Sequence, residues 1–214
     1  MRRTRNNPEV GTALELFGVT FSDAAGSGAA VPDTELVVVR DLAAITARRP
    51  YTAVEPTDER ARAAGTAVGE YAKRAAVVPA PLGVVFRSRQ AVTRWMELHY
   101  VALSDALSFV DARVVGRVHV WRPGDAAERE TGSDLAATAA DVLRDLRRSA
   151  VATVPLRTEE LTGIVLSAAF LVEQELWKEF ASKVSEQGSR VHDLRLELTG
   201  PWPPYDFVHM EFGG

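Results

Sequence analysis

The chain has 214 residues, of which 46% are hydrophobic and 25% charged, with a net charge of −4 and no cysteine. This composition is typical of a globular protein; it excludes disulfides and thiolate metal sites and lacks the basic surplus that neutralises nucleic-acid phosphates. The basic N-terminus precedes no apolar run and no segment has about 20 consecutive apolar residues, so we expect neither a signal peptide nor a membrane span.

The first half of the chain predicts an α+β domain over residues 1–109. Strands are predicted where alternating or β-branched apolar residues cluster, at 12–21, 35–40 and 42–47. The glycine-rich segment 22–32 between the first two strands predicts a flexible loop.

Two helices and a short strand complete this half. Thr57 is placed as the N-cap of a helix that extends to residue 76, and two prolines then interrupt the chain before a short strand at 82–86. Ser88 caps a second helix. Its apolar stripe consists of Val92, Trp95, Met96, Leu103 and Leu107.

The second half predicts the element order βαββαβ. The predicted strands are 112–121, 151–156, 162–171 and 192–199, and the predicted helices are 133–148 and 173–186, the second ended by Gly188. This order is typical of a ferredoxin-like domain, an antiparallel sheet with two helices on one face. We therefore place a second domain at 110–214, which ends in an extended proline-rich tail.

No pattern of catalytic or metal-binding residues stands out. The histidines do not form HxxxH or HxH pairs, and each is expected at a surface or on a sheet face; they are His99, His119, His192 and His209. The sequence has no GxSxG nucleophile motif and no phosphate-binding loop. We therefore expect no catalytic residue, no metal, no cofactor and no enzymatic activity.

One segment near the C-terminus is unusual in composition. It consists of Gly200, Pro201, Trp202, Pro203, Pro204, Tyr205 and Phe207, with Asp206 between the last two. Proline lacks the backbone N–H and fixes φ, so we expect the chain to leave the last strand at Gly200 and run as a stiff, polyproline-like track. Two roles stay open, a clamp within the fold and a contact for a partner.

The same segment carries a family resemblance. Residues 200–207, GPWPPYDF, resemble the C-terminal signature of the gas vesicle GvpL/GvpF family. The AAFLV sequence at 168–172 and the LAAI sequence at 42–45 also resemble elements of that family. Residues 78–83, VPAPLG, depart from the family's Leu-Pro-x-Arg-Phe-Gly, which leaves any contact of that Arg and that aromatic in doubt.

The resemblance implies an accessory protein of gas vesicle assembly, located in the vesicle and the cytoplasm. Its implied partners are the small hydrophobic shell protein and other gas vesicle accessory proteins, with no nucleic acid and no membrane, and it could remain as a minor vesicle component. A shell subunit with exposed strand edges aggregates unless a partner covers them. The alternatives are a ferredoxin-like small-ligand-binding or regulatory domain without catalysis, and an enzyme with an unrecognised site.

Overall fold

The computed structural model describes residues 13–27, 29–51, 57–122, 132–158 and 163–208. These residues form two compact units, the first ending at Asp111 and the second beginning at Ala112. Each unit combines helices with one antiparallel sheet. The mixed α+β class predicted from the sequence is therefore confirmed.

The described residues of the first unit form a sheet of five strands, with the first strand in its centre. They are β1 (Ala13–Phe21), β2 (Glu35–Val39), β3 (Leu42–Arg49), β4 (Val77–Pro79) and β5 (Val85–Phe86). The sheet order is β2-β3-β1-β4, and β5 also pairs with β1. Because β1 pairs with β3 on one side and with both β4 and β5 on the other, it is buried along most of its length. The sequence predicted β1 to β3 but missed β4, which ends at Pro79.

Four helices belong to this unit: α1 (Ser22–Gly26), α2 (Asp58–Ala72), α3 (Arg89–Leu98) and α4 (Tyr100–Val110). Both predicted N-caps are confirmed, since the side chains of Thr57 and Ser88 accept backbone N–H groups. Two predictions are wrong. The predicted loop 22–32 contains α1, and the single helix predicted after Ser88 is interrupted at His99, whose Nδ1 lies 2.8 Å from the Trp95 carbonyl oxygen.

Helices cover both faces of the first sheet. On one face, α2 contributes Val68 and Tyr71 to a core that includes Phe17 and Ile45. Neighbouring strand residues such as Leu16 point to the opposite face, where α3 and α4 contact the sheet. The sheet is therefore a central layer, which explains why β1 is apolar on both faces.

The second unit follows the order β-α-β-β-α-β. Its elements are β6 (Arg113–Trp121), α5 (Gly132–Arg147), β7 (Ala152–Pro155), β8 (Ile164–Glu173), α6 (Trp177–Arg190) and β9 (Arg195–Trp202). The sheet is antiparallel with the order β7-β8-β6-β9. Gly188 lies inside α6 and does not end it, and His192 lies in the turn before β9, so both of those predictions are wrong.

Both helices of the second unit pack on the same sheet face. Their core joins Val118 and Phe170 of the sheet to Leu146 of α5 and Phe180 of α6, and the two phenylalanine ring centroids are 5.3 Å apart. We call this the helix face. The opposite face, which carries Val115, is called the turn face.

Gly116 brings α6 close to the sheet. A Cβ atom built at Gly116 would lie 3.0 Å from Trp177 Cζ3 and 3.1 Å from Phe180 Cε1. Side chains of α6 therefore fill the volume that any larger residue on β6 would need. This close packing is a reason for glycine in the middle of a valine-rich strand.

We predict that Gly116→Ala lowers the free energy of unfolding by about 1–3 kcal/mol, because the added methyl overpacks the contact with Trp177 and Phe180. Gly188→Ala is the matched control. Its Cβ would lie at an ordinary 3.7 Å from Leu196 Cβ, and alanine favours a helix, so stability should rise by up to about 1 kcal/mol. Urea unfolding followed by circular dichroism measures both; equal effects would contradict the packing argument.

Candidate functional site

A β-bulge changes the face on which β9 presents its last residues. Up to Thr199, β9 pairs regularly with β6, but the register shifts between Val115 and Arg117, so that Trp202 pairs with Val115. Leu196 and Leu198 pack on the helix face, whereas Val115 lies on the turn face. Because cross-strand partners share a face, the bulge moves Trp202 to the turn face.

Gly200 makes this bulge possible. Its φ is +125°, a conformation that L side chains rarely adopt, and a Cβ there would lie 2.6 Å from the Val115 carbonyl oxygen. The same Cβ would lie 3.2 Å from Trp177 Cη2. The peptide bond from Gly200 to Pro201 is cis. The glycine is therefore required by both its backbone conformation and its surroundings.

After β9 the chain folds into a compact turn, which we call the C-terminal turn (residues 203–208). The Tyr205 N–H donates to the Pro203 carbonyl at 2.8 Å, and the Phe207 N–H donates to the Pro204 carbonyl at 3.1 Å. Pro204 is buried. The polyproline-like track expected from Gly200 onward is therefore wrong: the chain stays in the sheet as far as Trp202 and then turns.

An ion pair holds the C-terminal turn against β6. The Arg117 guanidinium donates from Nε to Asp206 Oδ2 at 2.9 Å and from Nη2 to Asp206 Oδ1 at 3.0 Å. The Asp206 side chain is only 13% exposed. Two parallel charge-assisted bonds fix orientation as well as distance, so this pair sets where the turn sits on the sheet.

Phe207 supplies the apolar part of the same attachment. Its side chain packs against a cluster on the turn face formed by Val115, Ala169 and Leu171, each fully buried. These residues belong to β6 and β8, so the C-terminal turn covers the centre of the sheet. Of the predicted signature residues, Phe207 and Pro204 are thus the ones that pack inward.

Trp202 and Tyr205 instead remain at the surface. Their side chains are 47% and 40% exposed, and the Trp202 Nε1–H donates to Thr199 Oγ1 at 3.1 Å. Partial burial raises the pKa of the Tyr205 hydroxyl, and the ordinary pKa of a phenol already keeps it neutral at physiological pH. The signature therefore combines an inward attachment with two outward aromatic side chains.

Sequence reasoning did not single out Arg117 or Asp206. Asp206 lies within the signature, and Arg117 alternates with Val118 on β6, so its position on the turn face could have been inferred from the strand period. The pairing itself could not, because 89 residues separate the two side chains.

Other polar groups lie farther along the turn face. The His119 imidazole Nδ1 and the Ser167 hydroxyl share a hydrogen bond of 2.7 Å between β6 and β8. His209 lies outside the described residues. Within the described ranges there is no group of three or more His, Cys, Asp or Glu side chains that could hold a metal ion, and no helix there could cross a membrane.

Comparison with known proteins decides the family. The chain matches the family described as "Gas vesicle synthesis protein GvpL/GvpF" in two overlapping segments, residues 16–131 and 118–209. The chain belongs to this family. The resemblance drawn from residues 200–207 is confirmed, and the second matching segment contains the bulge and the C-terminal turn.

Curated relatives of this GvpL/GvpF chain come from Halobacterium salinarum and a Streptomyces strain. Gas vesicle protein F2 of Halobacterium salinarum is 30% identical over 181 residues, which cover 83% of this chain and 81% of the relative. Gas vesicle protein F1 of the same organism is 28% identical over 177 residues, covering 81% of this chain and 80% of the relative. Gas vesicle protein L of a Streptomyces strain is 28% identical over 166 residues, with 61% and 62% covered.

Solved structures of two gas vesicle proteins share the fold. GvpF from Anabaena superposes with a TM-score of 0.76 at 13% identity, over 94% of this chain and 99% of that one. GvpF from Microcystis aeruginosa gives a TM-score of 0.74 at 12% identity, over 94% and 100%. This chain and the two GvpF structures therefore share the arrangement of helices and strands although few of their residues are identical.

We predict that the Arg117–Asp206 pair has a coupling free energy of about 1 kcal/mol. Urea unfolding of Arg117→Ala, Asp206→Ala and the double variant gives this value as a double-mutant cycle. The matched control is the Arg144–Asp141 pair on α5, whose side chains are 68% and 67% exposed; about 0.3 kcal/mol is expected there. Similar coupling in both cycles would show that the C-terminal turn is not held by its ion pair.

We also predict different effects for two aromatic residues of the signature. Phe207→Ala should lower the free energy of unfolding by about 2 kcal/mol, because it uncovers the apolar cluster on the turn face. Trp202→Ala should cost less than about 1 kcal/mol, since nearly half of the side chain already contacts solvent. Thermal unfolding of both variants tests this order, and a larger loss for Trp202→Ala would reverse the assignment of inward and outward residues.

Proposed function

We propose that this protein is a non-catalytic factor in gas vesicle formation that binds the small hydrophobic shell protein, and that the exposed aromatic pair Trp202 and Tyr205 is part of the contact. Family membership supports the role in gas vesicle formation. The observation that carries the contact is that the two side chains stay exposed while the segment bearing them is attached to the sheet through Asp206 and Phe207.

This arrangement favours binding for a physical reason. The ion pair and the apolar attachment already fix the backbone of the C-terminal turn, so little conformational entropy remains to be lost on association. Tryptophan and tyrosine are enriched among the residues that dominate binding energy. The neutral Tyr205 hydroxyl and the Trp202 ring together offer an apolar surface with a hydrogen-bonding group at its edge.

The remaining assignments follow from the same role. We place the protein in the cytoplasm and at the gas vesicle, with other gas vesicle accessory proteins as additional partners and no catalytic step. The second unit is assigned to the ferredoxin-like class, because its β-α-β-β-α-β order and its sheet order β7-β8-β6-β9 place two helices on one face of an antiparallel sheet.

Co-expression with a tagged shell protein tests the proposal. We expect the wild-type chain to be retained on the affinity resin and the double variant Trp202→Ala/Tyr205→Ala to be retained at least fivefold less. Removing two exposed aromatics takes away contact area without opening the core, so the melting temperature of the double variant should change little.

Tyr51→Ala is the matched control, because Tyr51 is an aromatic residue of the first unit that is 57% exposed. Its retention should equal that of the wild type. If the wild-type chain is not retained, the shell protein is not its partner. If the double variant is retained as well as the wild type, the contact lies elsewhere.

A further inference from the structure

The free edges of the two sheets are not equally protected. On β2, Arg89 Nη2 donates to the Leu36 carbonyl oxygen at 2.8 Å and so occupies a backbone acceptor. The edge strands β4 and β7 have three and four residues and end in Pro79 and Pro155. Short strands and prolines are the usual ways to prevent strand addition.

The edge formed by β9 lacks these protections over half of its length. It has eight residues, and within the described part of the chain it pairs only with β6. Neither proline nor lysine occurs between Arg195 and Thr199, the two charged side chains there, Arg195 and Glu197, pair with each other at 3.7 Å, and the bulge lies beyond that stretch. Alternate N–H and C=O groups of an edge strand point away from its sheet, so this stretch offers hydrogen bonds to another strand.

A groove of about 580 Å³ lies beside this edge on the helix face. Its apolar lining comes from Val184 and Val191, with Leu196 and Leu198 of β9. Small residues of α6, among them Gly188, leave the groove open on the helix side. Because side chains of a strand alternate between faces, every second residue of a strand added to β9 would enter this groove.

The charges around the groove select the bound segment further. Arg195 and His192 line it, and no carboxylate does. Arg195 is 69% exposed; its guanidinium pairs with Glu197 at 3.7 Å and lies over the Trp121 ring, with Cζ 5.4 Å from the ring centroid. Both contacts leave the cation largely exposed, so it can also receive a carboxylate from a bound segment beside the first residue of β9.

We propose that the free edge of β9 accepts an extended strand of the partner, whose alternate apolar side chains fill the groove beside α6 and which places a carboxylate near Arg195. Main-chain hydrogen bonds would supply affinity and the groove would supply specificity, as in other complexes formed by strand addition. This inference rests on the proposed function, since the partner meant is the gas vesicle shell protein.

Gly188→Leu tests the groove directly. The new Cβ has room, since its nearest neighbour would be Leu196 Cβ at 3.7 Å, and the rest of the side chain fills the groove. Binding of the co-expressed shell protein should weaken at least tenfold. Ser182→Leu is the matched control, because Ser182 is exposed on the same helix but does not line the groove; its binding should equal that of the wild type.

Two further measurements test the strand itself. Arg195→Glu should weaken binding at least threefold, whereas Arg190→Glu, the same charge change at the end of α6 outside the groove lining, should not. Hydrogen exchange of the β9 amides should slow when the shell protein is bound. Melting temperatures of the variants no lower than that of the wild type show that the fold is kept.

The outcomes separate this inference from the proposed function. If the wild type binds the shell protein but Gly188→Leu and Arg195→Glu bind equally well and exchange in β9 does not change, strand addition is wrong and the proposed function stands. If the wild type does not bind the shell protein, both fail. The wild type could also have the mass of a dimer in solution, and Gly188→Leu the mass of a monomer. That result would show that the β9 edge binds a second copy of this chain, and it would overturn the choice of partner.

Discussion

The β-bulge at Gly200 and Pro201 determines where the last residues of the chain lie. Without the extra residue, the strand period would direct Trp202 to the helix face, where Trp177 of α6 already occupies the space beside both Gly116 and Gly200. With it, Trp202 pairs with Val115 and the chain enters the turn face. This change of face requires both Gly116 and Gly200, because a side chain at either position would collide with neighbouring atoms.

The attachment of the C-terminal turn follows from that change of face. Once the chain lies over the turn face, Asp206 reaches Arg117, and Phe207 joins Ala152 and Leu156 in packing against the cluster around Val115. The ion pair fixes the position of the C-terminal turn, and the Phe207 ring buries apolar surface. Neither contact alone explains the conformation of the turn. Helices cover one face of this sheet, and on the other a short turn covers the central apolar cluster.

The sequence predicted most elements but few of the contacts between them. Alternation in β6 and the caps at Thr57 and Ser88 are local signals, and the structure contains all of them. Helix propensity is only a weak guide to helix ends, so neither the interruption at His99 nor the continuation of α6 past Gly188 could be predicted from residue type. The register shift opposite Gly116 and the pairing of Arg117 with Asp206 join distant parts of the chain, so no local pattern could predict them.

The proposed edge contact and Trp202 belong to one strand, and this continuity favours a single bound segment. A strand added along β9 presents its side chains alternately to the two sheet faces. One set meets the groove beside Leu196 and Leu198 on the helix face, and the other runs past Thr199 toward Trp202 on the turn face. Pro201 has no backbone N–H to donate, so regular strand pairing would stop at the bulge. Beyond the bulge, the bound segment would contact the exposed Trp202 ring instead of the backbone.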